Sequence, residues 1–309
     1  MELGFKILLG IVKTFCFFSL GALALRLKIF SHAEAVHFGR FAIDILTPFL
    51  TFYSIVCHFT RQDGAAFWQL PLTGFGIVLF GMLCGLVLQF GMKKKTPRRM
   101  ATFVHLAALN NFLFLPLILL DSLYGMKAVG YLFLMSVGST VGFWTCGVFS
   151  LAGSDWKLAL KNLCSSNIAA VILAVVCVLL EIPVPGAVME LCREIGQGAV
   201  PLSLALTGCM VFSTGRRLLA YRYDAIYTLL VRLVILPVLT LLVLRQLPLA
   251  KPLMQVAVLV ALMPASCSSV LIVRQYGGSA DFASQSIVLS TIGSMVTVPV
   301  FLYLIAWWL

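Results

Sequence analysis

The 309-residue chain is 61% hydrophobic and 11% charged, with a mean hydropathy of +1.05. A soluble domain is roughly 45–50% apolar and about 25% charged, so a globular core of this size is excluded and lipid must solvate most of the apolar surface. The net charge of +11 is not the footprint of a nucleic-acid binder, because the basic residues sit in short segments between apolar stretches, such as Arg26 and Lys28 or Lys93, Lys94, Lys95, Arg98 and Arg99. That is the pattern of cytoplasmic loops that contact anionic headgroups.

A bilayer-spanning helix needs about 20 apolar residues. Ten segments qualify in chain order: 5–25, 38–58, 69–91, 101–122, 127–151, 166–182, 195–213, 223–245, 254–274 and 283–307. The first is followed by Arg26 and Lys28 rather than preceded by a basic cluster, so it reads as a membrane helix and not as a cleaved signal peptide, despite the Ala22-Leu23-Ala24 triplet. Cys16, Cys57, Cys84, Cys146, Cys177 and Cys209 fall in or at the ends of these segments without a C-x-x-C pair. They read as small apolar residues, and neither a disulfide, a metal nor a cofactor is expected.

With an external N-terminus, the inner loops hold most of the Lys and Arg, including Lys157, Lys161, Arg216 and Arg217. This predicts a multi-pass protein of the inner or plasma membrane with both termini outside.

Matched pairs recur along the chain. Pro48 and Pro201 are 153 residues apart, and each follows an arginine (Arg40, Arg193) by eight residues; Tyr124-Gly125 and Tyr276-Gly277 are 152 apart; Gly138-Ser139 and Gly293-Ser294 are 155 apart. These near-equal offsets predict a repeat of five helices, residues 1–155 and 156–309. An odd number of crossings makes the second copy enter the membrane from the opposite side. The expected fold is therefore all-α and polytopic, with ten transmembrane helices in two inverted five-helix repeats.

In inverted-repeat transporters the site lies near the midplane, at interrupted helices. The fourth segment carries Asn110 and Asn111 ahead of Pro116, and the ninth carries Pro264, Ser266, Ser268 and Ser269. The candidate substrate residues are accordingly Asn110, Asn111, Pro264, Ser266, Ser268 and Ser269, and the candidate hinges are Pro48, Pro116, Pro201 and Pro264. Asparagine supplies donors and an acceptor, and half-helix N-termini attract anions. The structural alternative is that these residues tie helices together. Asp44, within the second segment, reads either as a proton or cation carrier or as the partner of Arg40 one turn away. Arg232 in the eighth segment reads as facing an anion path, snorkelling, or pairing with an acid. The four histidines have no H-E-x-x-H spacing and there is no phosphate-binding glycine loop, so neither an enzyme nor ATP-driven transport is indicated.

At these residues the chain resembles the auxin efflux carrier family. The resemblance is carried by Leu46-Thr47-Pro48, Asn111 with Leu115-Pro116-Leu117 and Tyr124-Gly125, Met263-Pro264-Ala265, Arg274 to Gly278, Leu289-Ser290-Thr291 and Val298-Pro299. It is similar to the compact bacterial members described as malate or malonate permeases. The family has a glycine before the proline of the fourth helix, where this chain has Leu115. The resemblance implies crossed fourth and ninth helices, scaffold and transport domains each drawn from both repeats, efflux or uptake of organic anions, and dimerisation through scaffold helices. Protons or sodium ions are the expected coupling partners. The rival readings are a sodium-coupled organic-anion symporter of the bile-acid-symporter type and a non-transporting membrane sensor.

Overall fold

The computed structural model describes residues 2–152, 165–214 and 222–305. Among these residues all regular structure is helical, apart from one isolated antiparallel bridge between Asn110 and Ala265. Five stretches are long and apolar enough to cross a membrane: His37–His58, Arg61–Gly91, Met126–Leu151, Tyr223–Leu244 and Ala280–Ile305. They coincide with the second, third, fifth, eighth and tenth expected segments. The fourth and ninth are each divided into two shorter helices. The expected boundary at 155/156 lies outside the described residues, as do Lys157, Lys161, Arg216 and Arg217.

The helices are α1 (Glu2–Arg26), α2 (His32–Phe41), α3 (Thr47–His58), α4 (Gly64–Leu88), α5 (Pro97–Ala108), α6 (Phe114–Tyr124), α7 (Met126–Gly142), α8 (Val148–Ala152), α9 (Ser166–Leu179), α10 (Gly186–Gln197), α11 (Ala199–Thr214), α12 (Arg222–Leu230), α13 (Leu236–Leu244), α14 (Lys251–Ala261), α15 (Ser269–Gln275) and α16 (Ala280–Ile305). Five-residue π-helical segments join α2 to α3 (Ala42–Leu46), α7 to α8 (Phe143–Gly147) and α12 to α13 (Val231–Ile235). Two of them share a cause. Pro48 and Pro237 each stand two residues after a π segment, where the widened turn takes up the missing proline N–H.

The chain forms two compact units. The first comprises Met1–Pro71, Leu113–Val137 and Leu163–Ser213. Small residues let its helices approach closely, as expected where lipid supplies no hydrophobic drive for association. Gly21 lies against the Ala205 carbonyl and Gly208 against the Phe18 backbone, fastening α1 to α11, and Gly196 of α10 lies on the backbone of Leu50 in α3. Thr51 Oγ1 donates to Asn167 Oδ1 at 2.7 Å, joining α3 to α9.

The second unit comprises Leu72–Phe112, Gly138–Asn162 and Thr214–Leu309. Its core gathers Phe103, Leu106 and Ala107 of α5 with Val231, Leu236, Ala265, Val273, Phe282 and Ile287. A second cluster joins Val78, Ala108, Leu109, Phe143, Val148 and Ile272. Residues 102–111 and 256–266 are buried without a gap, so the broken fourth and ninth segments run through the middle of this unit.

Candidate functional site

The site is built where α5 and α14 stop. α5 ends at Ala108, and Leu109 turns to an extended conformation (φ −105°, ψ 109°). α14 ends at Ala261, three residues before Pro264. Pro264 has no N–H to continue the ladder, and it disfavours helical geometry at Met263. Each break frees backbone groups that would be costly inside a membrane. The two breaks satisfy one another: Asn111 N–H donates to the Pro264 carbonyl at 2.8 Å and Ser266 N–H donates to the Leu109 carbonyl at 3.1 Å. The bridge between Asn110 and Ala265 follows from these two bonds.

Side chains complete the joint. Asn110 is fully buried and its Nδ2 donates to the Val260 carbonyl, in the last turn of α14, at 2.6 Å. Its Oδ1 is buried and has no partner among the described residues. The Asn111 side chain makes no hydrogen bond among the described residues and retains slight exposure, 9%. The adjacent asparagines therefore differ: Asn110 fastens the joint, and Asn111 keeps its amide free.

Arg232 adds the charge. It lies in the π segment between α12 and α13 and is 3% exposed. Its Nη1 donates to the Ala107 carbonyl at 2.8 Å, and its Nε and Nη2 both donate to the Met263 carbonyl at 3.1 Å. None of the ion pairs among the described residues involves it. The guanidinium is thus held by carbonyls at the C-terminal ends of α5 and α14, where helix dipoles place partial negative charge. Arg232 is buried rather than at the surface, and among the described residues no acid pairs with it. The side chain is held inside the unit by bare carbonyls, which accept its hydrogen bonds. The half-helix N-termini expected from the sequence are those of α6 and α15, while two C-termini meet at Arg232.

Ser266 is buried within the ninth-segment break, and Ser269 Oγ is buried without a partner among the described residues. Ser268 is exposed at the start of α15. Asn110, Asn111, Pro264, Ser266, Ser269 and Arg232 therefore belong to one unit and mostly to one joint. Asp44, Pro48, Pro116 and Pro201 belong to the first unit. Asp44 is exposed and forms no ion pair with Arg40; its carbonyl, left without a proline N–H to accept, takes the Ser166 hydroxyl at 2.7 Å. Pro116 sits in the first turn of α6, so the interruption lies before it, at residues 109–113. Pro201 lies just inside α11, past the single-residue interruption at Gly198.

Two features were missed by sequence reasoning. His105 Nδ1 lies 2.8 Å from the Gly147 carbonyl, while Nε2 is buried without a partner among the described residues. Gly81 and Gly85 of α4 lie against Ala107, Ala108 and Val104 of α5. Their G-x-x-x-G spacing in an apolar segment was the available signal. A family model described as membrane transport protein matches residues 6–160 and again residues 154–302. No curated protein matches the chain.

Proposed function

This chain belongs to the auxin efflux carrier family of membrane transport proteins, and from that premise we propose that it is a secondary transporter of small organic anions such as carboxylates, working by alternating access around the paired breaks. The observation that carries the anion reading is Arg232. A buried guanidinium whose partners among the described residues are all carbonyls leaves a net positive charge in a low-dielectric interior, and a carboxylate substrate complements it. Asn111, with its free amide, supplies directional donors, and Ser266 and Ser269 supply hydroxyls beside the same joint. Asn110 holds the joint closed to backbone defects.

The wider architecture follows the same reading. Ten crossings in two inverted halves account for the matched breaks at residues 109–113 and 262–268, and both termini lie outside the cell membrane. The second unit, which contains the joint, is the transport domain; the first is the scaffold. Each draws on both halves of the chain. The driving force is a proton gradient carried through Asp44 or the membrane potential acting on the charged substrate.

The test is uptake of radiolabelled malate, malonate and an aromatic carboxylate into proteoliposomes, with and without an imposed pH gradient, for the native protein and Asn111→Ala. Saturable uptake of one anion, lost in the variant, establishes the reading. No uptake of any of them under either condition removes the organic-anion assignment and directs the search to sodium-driven substrates.

A further inference from the structure

We propose that residues 93–98, the end of the loop after α4 and the first two residues of α5, form a site for the headgroup of an anionic phospholipid. This rests on the second unit alone and is independent of the transported substrate.

The first observation is how the loop is held. Asp224 of α12 is buried, and its carboxylate accepts from the Lys93 N–H at 2.8 Å, the Lys94 N–H at 3.4 Å and Arg99 Nη1 at 2.9 Å. Met92 is buried beneath the loop. Tyr227, also of α12, donates its hydroxyl to the Leu88 carbonyl at 2.7 Å, and Gly91 lies against its ring. The carboxylate that would neutralise this basic stretch is therefore turned inward. Lys93, Lys94, Lys95 and Arg98 are left exposed, and none of the ion pairs among the described residues involves them.

The second observation is the helix that follows. α5 is 12 residues long, its N-cap Thr96 makes no side-chain capping bond, and Arg98 stands in its first turn. A helix N-terminus carries partial positive charge, so a cation there is unfavourable unless an anion is bound. A phosphate lying on the first turn removes the conflict and takes the uncapped N–H groups.

The flank of the site selects lipid over a soluble anion. Val87 (71%) and Phe90 (63%) are the most exposed apolar side chains at the end of α4, and Tyr223 is exposed and stacked on Tyr227. In a bilayer these aliphatic and aromatic groups lie against acyl chains and the interface, which sets the four cations at headgroup depth. Inorganic phosphate has no use for that apolar flank.

The experiment measures retention of fluorescent phosphatidylglycerol and phosphatidylcholine by the detergent-purified full chain, with inorganic phosphate as competitor. The native protein is expected to prefer phosphatidylglycerol, to lose the preference at high salt, and to keep it in millimolar phosphate. The combined Lys93→Ala, Lys94→Ala, Lys95→Ala, Arg98→Ala variant changes exposed side chains and is expected to lower the preference roughly tenfold or more. Asp224→Asn keeps all four exposed cations but frees the loop, and is expected to weaken the preference although net positive charge rises. Equal retention of the two lipids, or displacement by phosphate, overturns the proposal. An undiminished preference in correctly folded Asp224→Asn overturns the held geometry and reduces the effect to bulk charge.

Discussion

Arg232 donates twice to the Met263 carbonyl, from Nε and Nη2, each at 3.1 Å. With its third bond, to Ala107, it spans the ends of two helices that are distant in sequence and joined also by their own broken backbones and by Asn110. Replacing it by alanine strips partners from buried carbonyls of both breaks. The expected loss of stability is about 1–3 kcal/mol, the range for leaving buried hydrogen-bond acceptors unsatisfied. Arg232→Lys retains the charge but lacks the planar fork that reaches both carbonyls, and is expected to be intermediate. Thermal unfolding in detergent measures the stability, and equal melting of the native protein and Arg232→Lys contradicts the clamp.

The two asparagines should separate in the same assays. Asn110→Ala removes the donor to the Val260 carbonyl and is expected to cost about 1–3 kcal/mol, because the carbonyl stays buried. Asn111→Ala removes no hydrogen bond made by the side chain among the described residues, and is expected to leave the melting temperature within experimental error while abolishing saturable anion uptake. If Asn111→Ala melts early and Asn110→Ala does not, the division of roles is reversed.

Asp44 carries the proposed proton coupling. Asp44→Asn leaves the carbonyl bond from Ser166 intact, since the backbone makes it. Folding is therefore expected to be unchanged, and stimulation of uptake by an imposed pH gradient is expected to vanish. Stimulation retained at the native level assigns the driving force to membrane potential or to another group.

Sequence reading located the joint because its residues are out of place. Two asparagines inside one apolar segment and a proline followed by hydroxyls inside another have no apolar explanation, and both breaks occur there. What sequence does not encode is which groups close a break. Among the described residues the partners of Arg232 are main-chain carbonyls, and those of Asn111 N–H and Ser266 N–H are too; carbonyls have no residue identity. Pro116 stands downstream of the break for a physical reason of its own. A proline in a first helical turn loses no hydrogen bond, so α6 begins before it and the break sits upstream. The π segments at Ala42–Leu46 and Val231–Ile235 were likewise invisible, although Pro48 and Pro237 marked their downstream edge. Asp44 and Arg40 are correctly spaced to pair, yet both are exposed and unpaired with each other; spacing along a helix permits such a contact without requiring it.

The glycines of α4 offer the sharpest packing test. A Cβ on Gly81 would stand 2.7 Å from the Ala107 carbonyl oxygen and 3.1 Å from the Ala108 Cα, and one on Gly85 would stand 2.9 Å from the Ala107 Cβ and 3.2 Å from the Val104 Cα. The first of these neighbours is the carbonyl that Arg232 Nη1 holds, so α4 cannot yield without disturbing the clamp. Gly81→Ala is expected to cost about 1–3 kcal/mol, the usual penalty of overpacking a tight interior, and to lower uptake with it. Gly76, in the same helix, has nothing within 4 Å of its Cβ position. Gly76→Ala is expected to gain about 0.5–1 kcal/mol from helix propensity alone. Opposite signs in thermal unfolding identify close packing of α4 on the end of α5 as the cause, because propensity acts alike on both glycines. Equal stabilisation by both substitutions means that α4 moves off α5 without penalty.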